Sequence, residues 1–149
     1  YNFNIIADQV TLRGTTRAYT EDNRQLIKKR IKEIITGTET MFDAKIELEY
    51  EDGYPPTIND PVAAENLLNA AKKIVGDGAG YPYLSMGSED FSYFLQKVPG
   101  CYFLVGSAPE NQEPLSVPHH CSHFDIDERA LLIGSSIYLQ LIDDLLMKG

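Results

Sequence analysis

The sequence is poor in the features that several large classes of protein require. It has only two cysteines, and its 13 lysines and arginines are outnumbered by 22 aspartates and glutamates. The resulting net charge of −9 argues against a nucleic-acid-binding surface, which needs a basic patch. There is no run of about 18 apolar residues, the length that a membrane-spanning helix needs. We therefore expect neither a nucleic acid nor a membrane among its partners.

Cys101 and Cys121 are too few for a disulfide framework. Two free thiols favour a reducing compartment such as the cytoplasm, but they leave the localisation open. No signal peptide is visible, because the N-terminal stretch has neither a basic nor an apolar region. The chain also lacks an initiating methionine and begins in a strand-like segment, so we expect a piece of a longer protein.

The first half of the sequence predicts a β-α-β fragment. Residues 10–18 and 44–50 alternate with the period of two that is typical of strands. Between them Thr20 is placed to cap a helix that ends at Gly37. The apolar stripe expected on this helix consists of Leu26, Ile27, Ile31, Ile34 and Ile35.

The second half predicts α/β structure after a stiff linker at residues 53–57, Gly-Tyr-Pro-Pro-Thr. Asp60 and Pro61 predict the start of a helix that Gly76 ends, and Ser88 is placed to cap another. The apolar run 101–105 is typical of a strand buried on both faces. The last helix is predicted from about Asp127 to Leu146, with a core face of Leu131, Tyr138, Leu141, Ile142 and Leu145.

Residues 118–125, with the sequence Pro-His-His-Cys-Ser-His-Phe-Asp, carry all three histidines and one cysteine. Imidazoles and thiolates are ligands of first-row transition metals, so this loop is a candidate metal site. The alternative is a polar surface loop that happens to be rich in histidine. A single loop does not supply a complete catalytic shell, so further ligands would have to come from elsewhere.

Three other groups of residues are candidates for chemistry. The amides of Gly87 and Ser88 could face an anion or a carbonyl oxygen, although an ordinary capped helix explains the same pattern. Arg17, on the polar face of its strand, suits a substrate carboxylate, and Asn4 lies upstream of it. Cys121 beside two histidines could be a nucleophile, but it is better explained as a thiol next to a metal site.

Five segments together resemble the aminoacylase-like metallopeptidase family. The resemblance is to its branch of hippurate hydrolases, N-acyl-amino-acid amidohydrolases and indole-acetyl-amino-acid hydrolases. The segments follow the family's order and approximate spacing along essentially the whole chain. They are residues 4–8 (Asn-Ile-Ile-Ala-Asp), 12–17 (Leu-Arg-Gly-Thr-Thr-Arg), 53–56 (Gly-Tyr-Pro-Pro), 86–91 (Met-Gly-Ser-Glu-Asp-Phe), and His120 with 124–128 (Phe-Asp-Ile-Asp-Glu).

The resemblance implies an α/β fold in two parts. Residues 1–52 would be part of an α+β, ferredoxin-like lid that mediates dimerisation. Residues 53–149 would be the C-terminal portion of a zinc-peptidase-like α/β catalytic domain. A homodimer formed through the lid is the assembly expected of the intact protein.

The resemblance also implies a role for individual residues. His120, rather than His119 or His123, matches the family's last metal ligand. Asn4 and Arg17 match groups that contact substrate, and Gly87, Ser88 and Glu89 match a segment beside the site. The family's catalytic residues and remaining ligands would lie upstream, so no catalytic residue is expected in this chain.

The intact enzyme would hold two divalent metal ions, with zinc favoured over manganese, and would act on N-acyl amino acids or small peptides. The chain alone would then be inactive. A non-catalytic dimerisation or binding module derived from such an enzyme is the alternative interpretation. A thiol hydrolase that uses Cys121 is a more distant one.

Overall fold

The computed structural model describes residues 3–81, 84–113, 116–117 and 119–147. The chain divides into two compact units, unit 1 (Tyr1–Pro56) and unit 2 (Thr57–Gly149). In these ranges no helix combines the length and apolar character needed to cross a bilayer. The helices are α1 (Glu21–Phe42) in unit 1, and α2 (Pro61–Val75), α3 (Ser92–Leu95) and α4 (Arg129–Leu146) in unit 2.

Helix α1 begins where the sequence predicts and ends later. The Thr20 hydroxyl accepts a hydrogen bond of 3.2 Å from a main-chain N–H of the first turn, as expected of an N-cap. The predicted end at Gly37 is wrong, because the helix continues to Phe42. A glycine inside a helix costs only about 1 kcal/mol, which a helix of this length tolerates. Asp43 ends it in a left-handed conformation with φ of 48°, donating its N–H to the Glu39 carbonyl.

The segment after residue 49 is attached to α1 by charge. Lys28 Nζ lies 2.6 Å from Asp52 Oδ2 and 5.0 Å from the centre of the Tyr50 ring. Arg24 donates to the Gly53 carbonyl at 3.1 Å. The Lys28 hydrogen bond lowers the pKa of the Asp52 carboxyl. Since about half of the Asp52 side chain is exposed, solvent screens this attachment and its contribution to stability is modest.

Helix α2 confirms its predicted boundaries. The Asp60 carboxylate accepts from the Ala63 N–H at 2.9 Å, and Pro61 occupies the first helical position, where no N–H is needed. The helix ends at Gly76, whose φ of 56° is a conformation that residues with a Cβ rarely adopt. These ends depend on local chemistry that the sequence displays directly.

The core of unit 2 lies between α2 and α4. Leu67 and Ala70 of α2 and Ile137 of α4 are its buried apolar side chains. Lys73 of α2 also pairs with Asp144 of α4. Helix α4 starts at Arg129, two residues after the predicted start.

The predicted core face of α4 is wrong at four of its five positions, and the fifth, Leu141, is partly buried. Leu131, Tyr138, Ile142 and Leu145 are between 52% and 65% exposed, whereas Ile137 is only 4% exposed. Helix α4 carries apolar residues around most of its circumference, and such a pattern does not single out one buried face. Only the position of α2 selects Ile137.

The predicted strands are the main correction to the α/β expectation. Residues 10–18, 44–50 and 101–105 lie outside helices, yet none of the described residues is assigned to a strand. Alternation along the sequence identifies side chains that share a face, but a strand also needs a hydrogen-bonded partner. The described residues thus form a helix-rich structure, and the strand content of the α/β prediction is not confirmed.

Replacement of the buried residue of α4 should distinguish the observed face from the predicted one. We expect Ile137→Ala to lower the free energy of unfolding by about 2–4 kcal/mol, because it opens a cavity against α2. Leu139→Ala removes a similar volume from a side chain that is 69% exposed, and should change the free energy of unfolding by about 0.5 kcal/mol. Urea denaturation followed by circular dichroism measures both, and equal effects would contradict the packing described.

Candidate functional site

The segment before α3 is organised by Glu89 and Ser92 rather than by Ser88. Helix α3 has no side-chain cap, so the predicted cap at Ser88 is wrong. Instead the Glu89 carbonyl accepts from the Ser92 N–H at 3.3 Å and from the Ser92 hydroxyl at 2.7 Å. Ser92 is fully buried. The Phe91 N–H, which a Ser88 cap would have served, donates to Glu89 Oε1 at 3.4 Å instead.

Gly87 and Ser88, the residues predicted to meet a substrate, are both exposed. The Gly87 N–H donates to the Ser85 hydroxyl at 3.1 Å. A Cβ added at Gly87 would lie 3.2 Å from the same oxygen, so a larger residue would push the Ser85 hydroxyl away. A substrate oxygen that bound the Gly87 amide would have to replace this hydroxyl.

Glu89 and Tyr102 form a hydrogen bond that the sequence analysis missed. The Tyr102 hydroxyl donates to Glu89 Oε2 at 2.8 Å, and Oε1 accepts weakly from the Phe91 N–H at 3.4 Å. The Tyr102 bond is the main reason why the pKa of the Glu89 carboxyl is lowered, and the same bond raises the pKa of Tyr102. No periodicity links two residues 13 positions apart in an irregular segment, so only the structure reveals the pair.

Asn59 fixes the main chain of Tyr102. Its Nδ2 donates to the Tyr102 carbonyl and its Oδ1 accepts from the Tyr102 N–H, both at 2.8 Å. The Asp60 N–H donates to the Gly100 carbonyl at 2.9 Å. These three bonds attach the apolar run that begins at residue 101 to the N-terminal end of α2.

The histidine-rich loop presents its imidazoles to solvent. His119, His120 and His123 are exposed, and Cys121 is partly buried. The His119 ring packs edge-on against the Phe124 ring, with 5.0 Å between the two ring centres. Across the parts of the chain that the structure describes, no three histidine, cysteine or acidic side chains cluster as metal ligands would. Pro118 of the predicted segment lies outside the described residues.

The two ends of this loop are joined beside α4. The Asp127 N–H donates to the Ser107 carbonyl at 2.8 Å. The Arg129 guanidinium pairs with the Asp127 carboxylate and with Glu110 Oε1, the latter at 2.7 Å. The Arg129 hydrogen bond lowers the pKa of Asp127, and the pKa of Arg129 is raised in return. These contacts close the base of the loop on which His120 lies.

Asn4 and Arg17 belong to unit 1 and are both exposed. The Arg17 guanidinium donates to the Thr15 hydroxyl at 2.7 Å. The hydroxyl of Thr16, which lies between Thr15 and Arg17 in the sequence, forms a hydrogen bond of 2.8 Å with the Tyr50 hydroxyl. A hydroxyl is a weak partner for a guanidinium, which binds carboxylates with two parallel bonds. Arg17 thus remains available to an anionic ligand.

An open depression of about 410 Å³ lies elsewhere on unit 2. Residues 58–60 and 95–100 line it, and none of the residues predicted for the site is among them. This depression therefore does not gather the residues predicted for the site.

Comparison with known proteins gives consistent matches. The sequence profile described as Peptidase family M20/M25/M40 matches residues 3–144. YhaA of Bacillus subtilis, which is named as an amidohydrolase, is 40% identical over 138 residues, covering 91% of this chain and 34% of YhaA. IAA-amino acid hydrolase ILR1-like 4 of Arabidopsis thaliana is 32% identical over 145 residues, covering 93% of this chain and 32% of that protein. The N-acetyldiaminopimelate deacetylase of Enterococcus faecalis is 33% identical over 132 residues, covering 88% of this chain and 33% of that protein.

The fold is also similar to that of a solved structure. A crystal structure described as an aminohydrolase of methicillin-resistant Staphylococcus aureus matches with a TM-score of 0.62 and 31% identity. The match covers 83% of this chain and 31% of that protein. The chain thus spans about a third of the length of the curated relatives that it matches.

The Asp127–Arg129 pair predicts a pH dependence of stability. A carboxyl whose pKa is lowered by folding stabilises the native state above its unfolded pKa of about 3.9, and this contribution is lost as the pH falls further. Wild type should therefore be more stable than Asp127→Asn above about pH 5, with the difference shrinking towards pH 3. Urea denaturation at each pH measures this difference. Glu128→Gln controls for one lost charge, and a pH-independent difference for Asp127→Asn would contradict the pairing.

Proposed function

The chain belongs to peptidase family M20/M25/M40, and on that premise we propose that it is part of a metal-dependent amidohydrolase that cleaves N-acyl amino acids. The match over residues 3–144, with relatives named as hydrolases, carries this proposal. The names IAA-amino acid hydrolase and N-acetyldiaminopimelate deacetylase both describe an acyl group removed from an amino compound. An N-acyl amino acid or small peptide is accordingly the substrate class that we assign to the intact protein.

His120 is the metal ligand that we assign to this chain. An exposed imidazole has the donor chemistry that zinc and manganese accept. The described residues bring no second and third ligand to it, so they do not fit a metal shell by themselves. We infer that the other ligands come from a longer protein of which this chain is a part. Two divalent ions, zinc in preference or else manganese, would activate water and polarise the acyl carbonyl there.

We assign substrate contacts to two groups of residues. Arg17 carries the only full charge among them, and its planar guanidinium suits the carboxylate of an amino acid, with Asn4, upstream in the sequence, as a further hydrogen-bonding group. The Gly87 amide and Ser88 offer donors for a carbonyl oxygen once the Ser85 hydroxyl turns away. No residue of this chain is assigned as a general acid, general base or nucleophile.

We further propose that residues 1–52 are part of a ferredoxin-like lid that supports a homodimer, and that residues 53–149 complete the catalytic domain. Exposed apolar side chains on α4, such as Leu132, Leu139 and Leu146, support a partner surface supplied by the rest of a longer chain. A non-catalytic dimerisation module is the alternative that the following experiments address.

The chain of 149 residues should be inactive alone. We expect no hydrolysis of N-acetyl or N-benzoyl amino acids by it with added zinc or manganese, because it lacks most of the groups assigned to the reaction. A longer protein that carries this sequence should release the free amino acid under the same conditions. Ninhydrin detection of the free amine measures both. Metal-dependent activity of the short chain, or an inert longer protein, would contradict the proposal.

His120→Ala in the longer protein should remove one metal ion. We expect the metal content to fall from about two equivalents to about one, with at least a hundredfold loss of kcat/KM, because a ligand has been deleted. His123→Ala deletes an exposed imidazole three residues away and should retain both ions. Metal analysis of the purified protein after gel filtration decides between them. Unchanged metal content in His120→Ala would refute the ligand assignment.

A further inference from the structure

Tyr102 connects a fixed part of unit 2 to the segment that holds Gly87 and Ser88. Its main chain is bonded on both sides by the Asn59 amide, and Asn59 directly precedes the cap of α2. The Phe91 ring lies 5.8 Å from the Tyr102 ring, measured between ring centres. The hydroxyl of Tyr102 therefore projects from a backbone and a ring that are both restrained.

Glu89 is the residue that this hydroxyl reaches. Its carboxylate accepts the Tyr102 hydrogen bond at 2.8 Å, while its carbonyl accepts the two bonds from the buried Ser92. Glu89 is thus restrained through its side chain and its main chain at once. Ser88 precedes it directly, and Gly87 lies one residue further on. Restraint of Glu89 therefore limits the freedom of both residues.

Building on the proposed function, we propose that Tyr102 and Asn59 are positioning residues that fix Glu89 and thereby the Gly87–Ser88 part of the substrate site. Neither residue needs to touch the substrate. A hydrogen bond from a tyrosine to a carboxylate is a charge-assisted bond and is stronger than one between neutral groups. The lowered pKa of Glu89 is consistent with this bond.

The first test uses the chain itself and needs no activity. Tyr102→Phe deletes only the hydroxyl and retains the ring contact with Phe91. We expect the backbone order parameters of Gly87 and Ser88 to fall by about 0.1–0.2 from the rigid value of about 0.85, while those of α2 stay unchanged. Tyr138→Phe is the matched control, because the Tyr138 ring also packs on an aromatic neighbour, Phe103. ¹⁵N relaxation measures these values, and unchanged order in Tyr102→Phe would overturn the proposal.

The second test uses the longer protein and separates positioning from mere stability. We expect Tyr102→Phe to raise KM about fivefold with kcat within about twofold of wild type, because the loss falls on substrate binding. Tyr138→Phe should change neither constant. If wild type is active and KM is unchanged in Tyr102→Phe, the positioning role is overturned while the proposed function stands. If wild type were inactive, the proposed function would fail, and the relaxation measurement alone would decide the positioning of Gly87 and Ser88.

Discussion

The placement of Tyr102 and of the segments bonded to it in unit 2 depends on the pair of hydrogen bonds by which the Asn59 side chain binds the Tyr102 main chain. A primary amide offers an N–H donor and a C=O acceptor, as a peptide group does. It can therefore bond to the main-chain N–H and C=O of one residue in the way that a neighbouring strand would. The apolar run 101–105 lacks a strand partner in the described structure, and these bonds take the place of one at a single residue. Because Asn59 lies beside the cap of α2, they also fix the run against the helix that forms half of the core.

The residues that we propose for the site in unit 2 lie on segments that few hydrogen bonds restrain. Gly87 and Ser88 precede Glu89, which accepts a hydrogen bond from Tyr102, and His120 lies on the loop that the Asp127–Ser107 hydrogen bond closes. Binding groups are commonly found on loops that a rigid scaffold positions. The scaffold here is small, since Leu67, Ala70 and Ile137 form the buried apolar core of the described residues. A site built on so small a core gains precision from additional packing, which agrees with a chain that covers about a third of its relatives' length.

The accuracy of the sequence predictions follows the range of the interactions involved. The caps at Thr20 and Asp60 and the end at Gly76 were confirmed, because each depends on residues within one turn of helix. The end of α1 at Gly37 was wrong because a long helix tolerates a glycine. The cap at Ser88 was wrong because the Glu89 carboxylate accepts from the Phe91 N–H instead. Family membership was recognised from five short segments, and the match of residues 3–144 to peptidase family M20/M25/M40 confirmed it. The individual roles of Asn4, Arg17, Gly87, Ser88 and His120 remain predictions.

The sequence by itself determined the starts of α1 and α2, the family and the candidate residues, because caps, turns and motifs are properties of neighbouring positions. Only the tertiary structure decided that α4 buries Ile137, since an apolar circumference leaves the choice of face to the helix that packs on it. Only the tertiary structure brought Asn59, Glu89 and Tyr102 together, because hydrogen bonds between distant, irregular segments leave no periodic trace. Strand pairing is likewise a contact between distant segments that the sequence alone does not reveal. An alternating pattern indicates the face of a strand, whereas its partner is set by whichever chain segment packs beside it.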